Sequence, residues 1–256
     1  MAVLSVTPVP PVIEARRLTQ RFGGLTAVDQ VSLTVGHRDV VGVAGPNGAG
    51  KSTLLDLLSG RQRPSEGEVL LDGQTITRSG PHVRARLGIA RSYQAPQTAD
   101  HLSVAEVVGA AQVAFGGKAS EHRVHHVFEG LGLDPTSCRL AGELDTLSRR
   151  KLLLACQLLR EPRVLLLDEP CSGLLQEEIL EFEQIVRRLC IDGGAGVDPI
   201  PAIVIEHRLE LLEAVTTRTI VMDAGRVIAE GGFDEVFARD DVRRAYFLDD
   251  PAGATP

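Results

Sequence analysis

The chain has 256 residues, 43% of them hydrophobic and 24% charged, with a formal net charge of −7. This is an ordinary globular balance that can bury one large core or two small ones, and its acidity argues against a nucleic-acid-binding surface as the main function. No apolar run approaches the roughly 20 residues a membrane-spanning helix needs, and the first residues lack the basic start and long apolar stretch of a secretion signal, so the expectation is a chain that stays in the cytoplasm.

Residues 1–11 carry three prolines and no periodicity and read as a loose lead-in. Val12–Arg16 and Asp29–Val35 follow as predicted strands, joined through Arg21-Phe22-Gly23-Gly24-Leu25. Phe22, beside the glycine pair, is either a core residue or a flat face for an adenine ring.

The apolar run Asp39–Ala44 then leads into Gly45-Pro46-Asn47-Gly48-Ala49-Gly50-Lys51-Ser52-Thr53, and Thr53–Leu58 begins a helical pattern. The nine residues fit GxxxxGK[ST] at every fixed position, and they sit between strand and helix as a phosphate loop must. Glycines at 45, 48 and 50 let backbone N–H groups turn toward phosphate oxygens without a Cβ in the way, so Gly45, Asn47, Gly48, Ala49, Gly50 and Thr53 are candidate cradle residues. Lys51 is placed to meet the β- and γ-phosphates, and the Ser52 hydroxyl to take a coordination position on Mg²⁺.

Arg61–Gly73 reads as a turn and short strand ending in an Asp-Gly hairpin turn, and 88–94 (GIARSYQ) as a run ending on Gln94 before Pro96 stops any regular element. From Leu102 to Leu159 the pattern is helical. Ser103 and Glu106 form a capping box, and further helices are expected at 121–130 and 149–159. His122, His125 and His126 lie at helical spacing, a possible metal pair; lacking a neighbouring Cys or an HExxH pattern, they read as a solvated helix face. Cys138, Cys156, Cys171 and Cys190 form no CxxC pair and read as reduced thiols.

Arg163–Pro170 (RVLLLDEP) is too short and too uniformly apolar for anything but a buried parallel strand, delivering Asp168 and Glu169 at its C-terminal end. Open α/β sheets bind ligands past that edge, so Asp168 is a candidate Mg²⁺ holder, directly or through water, and Glu169 a candidate base for an attacking water. A helix over 176–190 and a strand over 202–206 come next. His207 lies just past that strand, where its ring can donate to a γ-phosphate. A hairpin turning at Asp223-Ala224-Gly225 and two short helices, 234–238 and 242–248, complete the pattern.

GPNGAGKST, the Gln94 hinge, VLLLDEP and VIEH in this order resemble the nucleotide-binding subunits of ATP-binding cassette (ABC) transporters, and the resemblance covers nearly the whole chain. RFGGLTAVDQVSL, GIARSYQAPQ, DEPCSGL, IEHRLELL and DVRRAYF resemble one branch, the ATPases of branched-chain and hydrophobic amino-acid importers. The resemblance implies an α/β P-loop NTPase fold: one nucleotide-binding domain over 12–249, with core segments 12–94 and 162–230, an N-terminal antiparallel β-subdomain, an inserted helical subdomain over 95–160, C-terminal helices over 232–248 and loose termini. It implies ATP and Mg²⁺ as ligands, Phe22 as the residue stacking on adenine, Gln94 as the Mg²⁺- and permease-sensing glutamine, and His207 as a switch histidine beside Glu169 and Lys51. It further implies transmembrane permease subunits and a second ATPase as partners, an extracytoplasmic solute-binding protein acting indirectly, no nucleic acid, and a peripheral place on the cytoplasmic face of the inner (plasma) membrane.

Two departures stand out. Where the family carries a signature, LSGGQ or similar, that closes over the partner's nucleotide, this chain reads Thr146-Leu147-Ser148-Arg149-Arg150-Lys151; and Leu175 takes a place usually held by Asp or Asn. The parts that serve a chain's own nucleotide are intact, whereas the parts donated to a partner are degraded, which predicts an asymmetric heterodimer. Ser148 is expected to cap the signature helix and face nucleotide. Arg149 and Arg150 either reach phosphate or face solvent. The alternative expectation is a nucleotide-gated regulatory subunit with little hydrolysis of its own.

Overall fold

The computed structural model describes residues 10–92, 98–114, 119–193 and 198–247. Strands β1 (Ile13–Phe22), β2 (Leu25–Val35), β4 (Glu66–Leu71) and β5 (Gln74–Thr75) form an antiparallel sheet in the order β2-β1-β4-β5. Strands β3 (Val40–Ala44), β6 (Ile89–Arg91), β7 (Val164–Asp168), β8 (Ala202–Ile205), β9 (Arg218–Asp223) and β10 (Arg226–Gly231) form the second sheet, ordered β10-β9-β3-β8-β7-β6. All neighbours in it run parallel except the edge hairpin of β9 and β10. This is the α/β architecture the motifs imply.

The near-continuous apolar runs of β3, β7 and β8 follow from burial on both faces. Successive side chains divide between two cores: Val40, Ala44, Leu165, Leu167, Ala202 and Val204 pack on one side, and Val41, Val43, Val164, Leu166, Ile203 and Ile205 on the other. Helix α1 (Lys51–Ser59) and the antiparallel sheet cover the second side. Helices α6 (Gln176–Arg187), α7 (Leu209–Val215), α8 (Phe233–Phe237) and α9 (Asp240–Phe247) cover the first, and that core continues into α3 (Val104–Ala114), α4 (Glu121–Glu129) and α5 (Thr146–Leu158), inserted between β6 and β7. The short helix α2 (Pro81–Arg86) supplies Arg84, whose guanidinium is fully buried and donates to the carbonyls of Leu57 and Leu58 at the end of α1 and to those of Thr77 and Ser79.

Several boundaries differ from the sequence pattern. β1 and β2 run to Phe22 and from Leu25, because the Gly23-Gly24 turn extends their pairing to Phe22↔Leu25. Helix α5 begins at Thr146, three residues before the expected 149, and α6 ends at Arg187 in a π-helical turn over Arg188–Asp192. The Ser103–Glu106 capping box is present, with Ser103 N–H donating to Glu106 Oε2 at 2.8 Å and Glu106 N–H to Ser103 Oγ at 3.3 Å. His122, His125 and His126 are exposed on α4, the first and last ring stacked. All four cysteines are free thiols; Cys156, Cys171 and Cys190 are buried and Cys138 is exposed. No helix among the described residues is long and apolar enough to cross a membrane.

Candidate functional site

Parallel strands bring their C-terminal ends to one edge, so β3 releases the loop 45–50, β7 releases Asp168 and Glu169, and β8, which lies between them, leads to His207. The loop's shape is dictated by its glycines. Gly45 has φ 142 and Gly50 φ 98, and a Cβ on either would stand 2.1 Å from the Met222 carbonyl oxygen or 2.2 Å from that of Ala27. No other residue type fits either position. The Gly225 N–H to Ala49 carbonyl bond, 3.1 Å, ties the loop to the β9–β10 turn.

Gly50 is also the N-cap of α1, a helix with no side-chain cap and no acidic residue in its first turn. Its N-terminal amides and the positive end of its dipole are thus directed into the site, the arrangement that attracts an anion. Lys51 Nζ lies on the rim of the same loop, donating to the carbonyls of Gly45 at 2.7 Å and Pro46 at 2.9 Å. Burial holds its ammonium below the ordinary lysine range, and the Glu169 and Asp168 carboxylates act in the opposite direction.

Ser52 Oγ and Asp168 Oδ1 face each other 3.4 Å apart. Among the described residues no group of three or more His, Cys, Asp or Glu forms a metal cage. A hydroxyl and a carboxylate beside a phosphate loop fit Mg²⁺ nonetheless, because this ion is bound by one or two protein oxygens together with substrate phosphates. Asp168 Oδ2 accepts from Arg91 Nη2 at 3.0 Å, and Arg91 also pairs with Asp56 and with Ser59 Oγ, 2.9 Å away. Burial raises the Asp168 carboxyl above its ordinary range, and Arg91 opposes that rise.

Glu169 adopts a left-handed backbone, φ 45, a conformation that costs a non-glycine residue energy and so must be held by its surroundings. Its N–H donates to the Ile205 carbonyl at 2.9 Å, and its Oε1 lies 2.8 Å from His207 Nε2. Next to them Glu206 is buried, accepting from the Cys171 N–H at 2.8 Å and the His207 N–H at 3.2 Å. Burial raises the Glu206 carboxyl, and these two amide bonds oppose the rise.

The remaining candidates are placed as follows. Phe22 is 46% exposed at the tip of the β1–β2 hairpin, so it is not a core residue; β2, the other strand of that hairpin, carries Ala27 against Gly50. Gln94 lies outside the described residues. Ser148 does not cap α5. Asp145 does, accepting from the Ser148 N–H at 2.7 Å and from Ser148 Oγ at 2.9 Å, because its carboxylate stands one residue before the helix, where the first amides point. Arg149 is partly exposed and pairs with Asp100 at 3.3 Å, whereas Arg150 is buried. Arg149 donates to the carbonyls of Leu144 and Gly142, and Arg150, buried, to that of Ser172. Burial lowers the Arg150 guanidinium from its ordinary value, with Cys171 and Glu206 acting against it.

Arg91, Asp145, Arg150 and Glu206 had not been given these places in the sequence pattern. Arg91 and Glu206 carried a readable signal, a single charge closing an apolar strand run (GIAR, VIE). Asp145 carried a capping signal that Ser148, three residues on, matched, and Arg150 carried none, since both roles depend on where α5 starts.

The chain is similar to known proteins along most of its length. The family model for ABC transporters matches residues 28–172. The high-affinity branched-chain amino acid transport ATP-binding protein BraF of Pseudomonas aeruginosa is 31% identical over 253 residues, 92% of this chain and 97% of that protein. The ribose import ATP-binding protein RbsA 3 of Rubrobacter xylanophilus is 35% identical over 224 residues, and the match spans only 44% of its length. Among solved structures, the ADP conformation of MJ1267, an ATP-binding cassette of an ABC transporter, superposes with a TM-score of 0.82 at 27% identity, covering 92% of this chain and 98% of that one.

Proposed function

The chain is an ATP-binding cassette of the ABC transporter family, and on that premise we propose that it binds and hydrolyses ATP to energise an importer of branched-chain amino acids or a related small solute. The observation that carries this reading is the convergence of Lys51, Ser52, Asp168, Glu169 and His207 on one sheet edge beside an uncapped helix N-terminus. The full-length similarity to BraF supports the solute class. Permease subunits, a peripheral place at the inner face of the membrane and an indirectly acting solute-binding protein follow from the same reading.

In this reading the loop amides and the α1 N-terminus bind the β- and γ-phosphates, and Lys51 turns from the Gly45 and Pro46 carbonyls to them. Phe22 offers its exposed face to the adenine ring. Ser52 and Asp168 would hold Mg²⁺, with Gln94 completing the set; the ion supplies charge stabilisation on the phosphate oxygens. Glu169 accepts a proton from the attacking water as its oxygen bonds to the γ-phosphorus and the bond to the β–γ bridging oxygen breaks, releasing ADP. His207, held against Glu169, donates to a γ-phosphate oxygen.

The second part of the proposal is that this cassette works in an asymmetric pair with a different ATPase. A contrast between two helix N-termini supports it. That of α1 is free of side chains, whereas that of α5, at the degenerate signature, is occupied by the Asp145 carboxylate, with Arg149 folded back onto Gly142 and Leu144. A negative group there repels the γ-phosphate of a nucleotide on a facing subunit. The chain's own site is then closed by the partner's signature, and the partner's site is the impaired one. Phosphate release should appear when the chain is combined with its partner ATPase and be weak from the chain alone. Release from neither preparation would favour a nucleotide-gated regulatory subunit instead.

A further inference from the structure

We propose that Arg150 and Glu206 are positioning residues that clamp the turn Glu169–Ser172 from opposite sides, setting the direction in which Glu169 and His207 present their side chains. This rests on the reading of those two residues as the base and its phosphate-facing neighbour, and it gives a role to charges that no motif assigns.

The turn is closed internally by a single backbone bond, Ser172 N–H to Glu169 carbonyl at 3.1 Å. The turn carries a glutamate in the left-handed region at φ 45, whose own N–H is bonded to the Ile205 carbonyl at 2.9 Å. Arg150, from α5, reaches the carbonyl side: its guanidinium donates to the Ser172 carbonyl and stands 3.5 Å from that of Glu169. Glu206, from the end of β8, takes the amide side, accepting from Cys171 at 2.8 Å. Its other oxygen accepts from the His207 N–H, so one carboxylate fixes the turn that carries Glu169 and the backbone that carries His207.

Both charges are buried and neither makes an ion pair with the other; each bonds to backbone of the same turn. A buried charge used this way is costly unless its geometry is kept, which makes the turn's conformation the thing it enforces. Because Arg150 belongs to the inserted helical segment and Glu206 to the sheet, the clamp also ties the placement of α5 to that of Glu169. Motion of α5 relative to the sheet would then be felt at the base without any residue of α5 touching nucleotide.

The test uses the full chain, alone and with its partner ATPase. Hydrogen exchange is followed in the peptide spanning 169–174 for Arg150→Met, Arg150→Lys and Glu206→Gln. The clamp predicts exchange about tenfold faster in that peptide for Arg150→Met and Glu206→Gln, no change in peptides from β3 and α1, and partial recovery in Arg150→Lys. In the pair, kcat should fall about tenfold or more while the KM for ATP stays within about twofold, the split expected of a misaimed base. Unchanged exchange in 169–174, or a lowered unfolding temperature with kcat intact, overturns the proposal. Should Arg150→Met unfold, Glu206→Gln, which keeps the side-chain volume, is judged by the same criteria. A wild-type pair that releases no phosphate defeats the hydrolysis reading, and the exchange data still decide the clamp.

Discussion

His207 Nε2 and Glu169 Oε1 lie 2.8 Å apart, although their residues are separated by 38 positions and belong to the ends of different strands. The pairing of β7 with β8, Asp168 opposite Ile205, brings them together. Since the contact orients the carboxylate, and the loop amides and Lys51 supply most of the phosphate binding, His207→Ala should lower turnover by about a hundredfold while weakening ATP binding only a few-fold. Steady-state phosphate release alongside equilibrium nucleotide binding checks that the loss falls on turnover far more than on affinity.

The phosphate loop makes a steric prediction. In Gly50→Ala the new Cβ meets the Ala27 carbonyl oxygen at 2.2 Å on a backbone at φ 98, so the loop must distort. ATP binding should fall about a hundredfold or more, as it should for Lys51→Ala, but for different reasons. Thermal unfolding separates them: Gly50→Ala lowers the melting temperature, whereas Lys51→Ala removes a buried cation and does not.

The C-terminal end of α1 depends on Arg84, which is 0% exposed and pushed by burial down to about 10, leaving it charged at neutral pH. Arg84→Met fills much of the space but removes the Arg84 donors from the Leu57 and Leu58 carbonyls at the end of α1, leaving Leu57 its longer bond from the Gly60 N–H at 3.4 Å. The expected loss is about 3 kcal/mol in urea-unfolding free energy.

How much of this could be read from residues alone divides along physical lines. The site motifs stood out because strand, loop and helix follow one another locally, so GPNGAGKST, VLLLDEP and VIEH predicted both the elements and their common edge. The β1–β2 hairpin length did not, since Arg17 and Gln30 sit at positive φ within irregular pairing that interrupts the alternation. The start of α5 was misplaced for a different reason: Ser148 and Asp145 are both good caps three residues apart, and only packing of Leu147 and Arg150 decides between them. That choice inverted the expected roles of Ser148, Arg149 and Arg150.

Asp145 gives a pH prediction. The Ser148 N–H bond, chiefly, holds its carboxyl below the ordinary 3.8. A carboxyl so depressed adds stability that is present above 3.8 and is lost as pH falls through its lower folded value. Asp145→Ala should therefore cost about 1 kcal/mol between pH 5 and 8, and the two unfolding curves should converge in stronger acid.

The asymmetric pair is tested most directly by placing the same carboxylate-to-amide change in each ATPase in turn. Phosphate release is measured from the assembled pair carrying Glu169→Gln in this chain, and from the pair carrying the equivalent change in the partner. The account predicts that Glu169→Gln abolishes most hydrolysis while the partner's change has a much smaller effect. Equal losses from the two changes would contradict it.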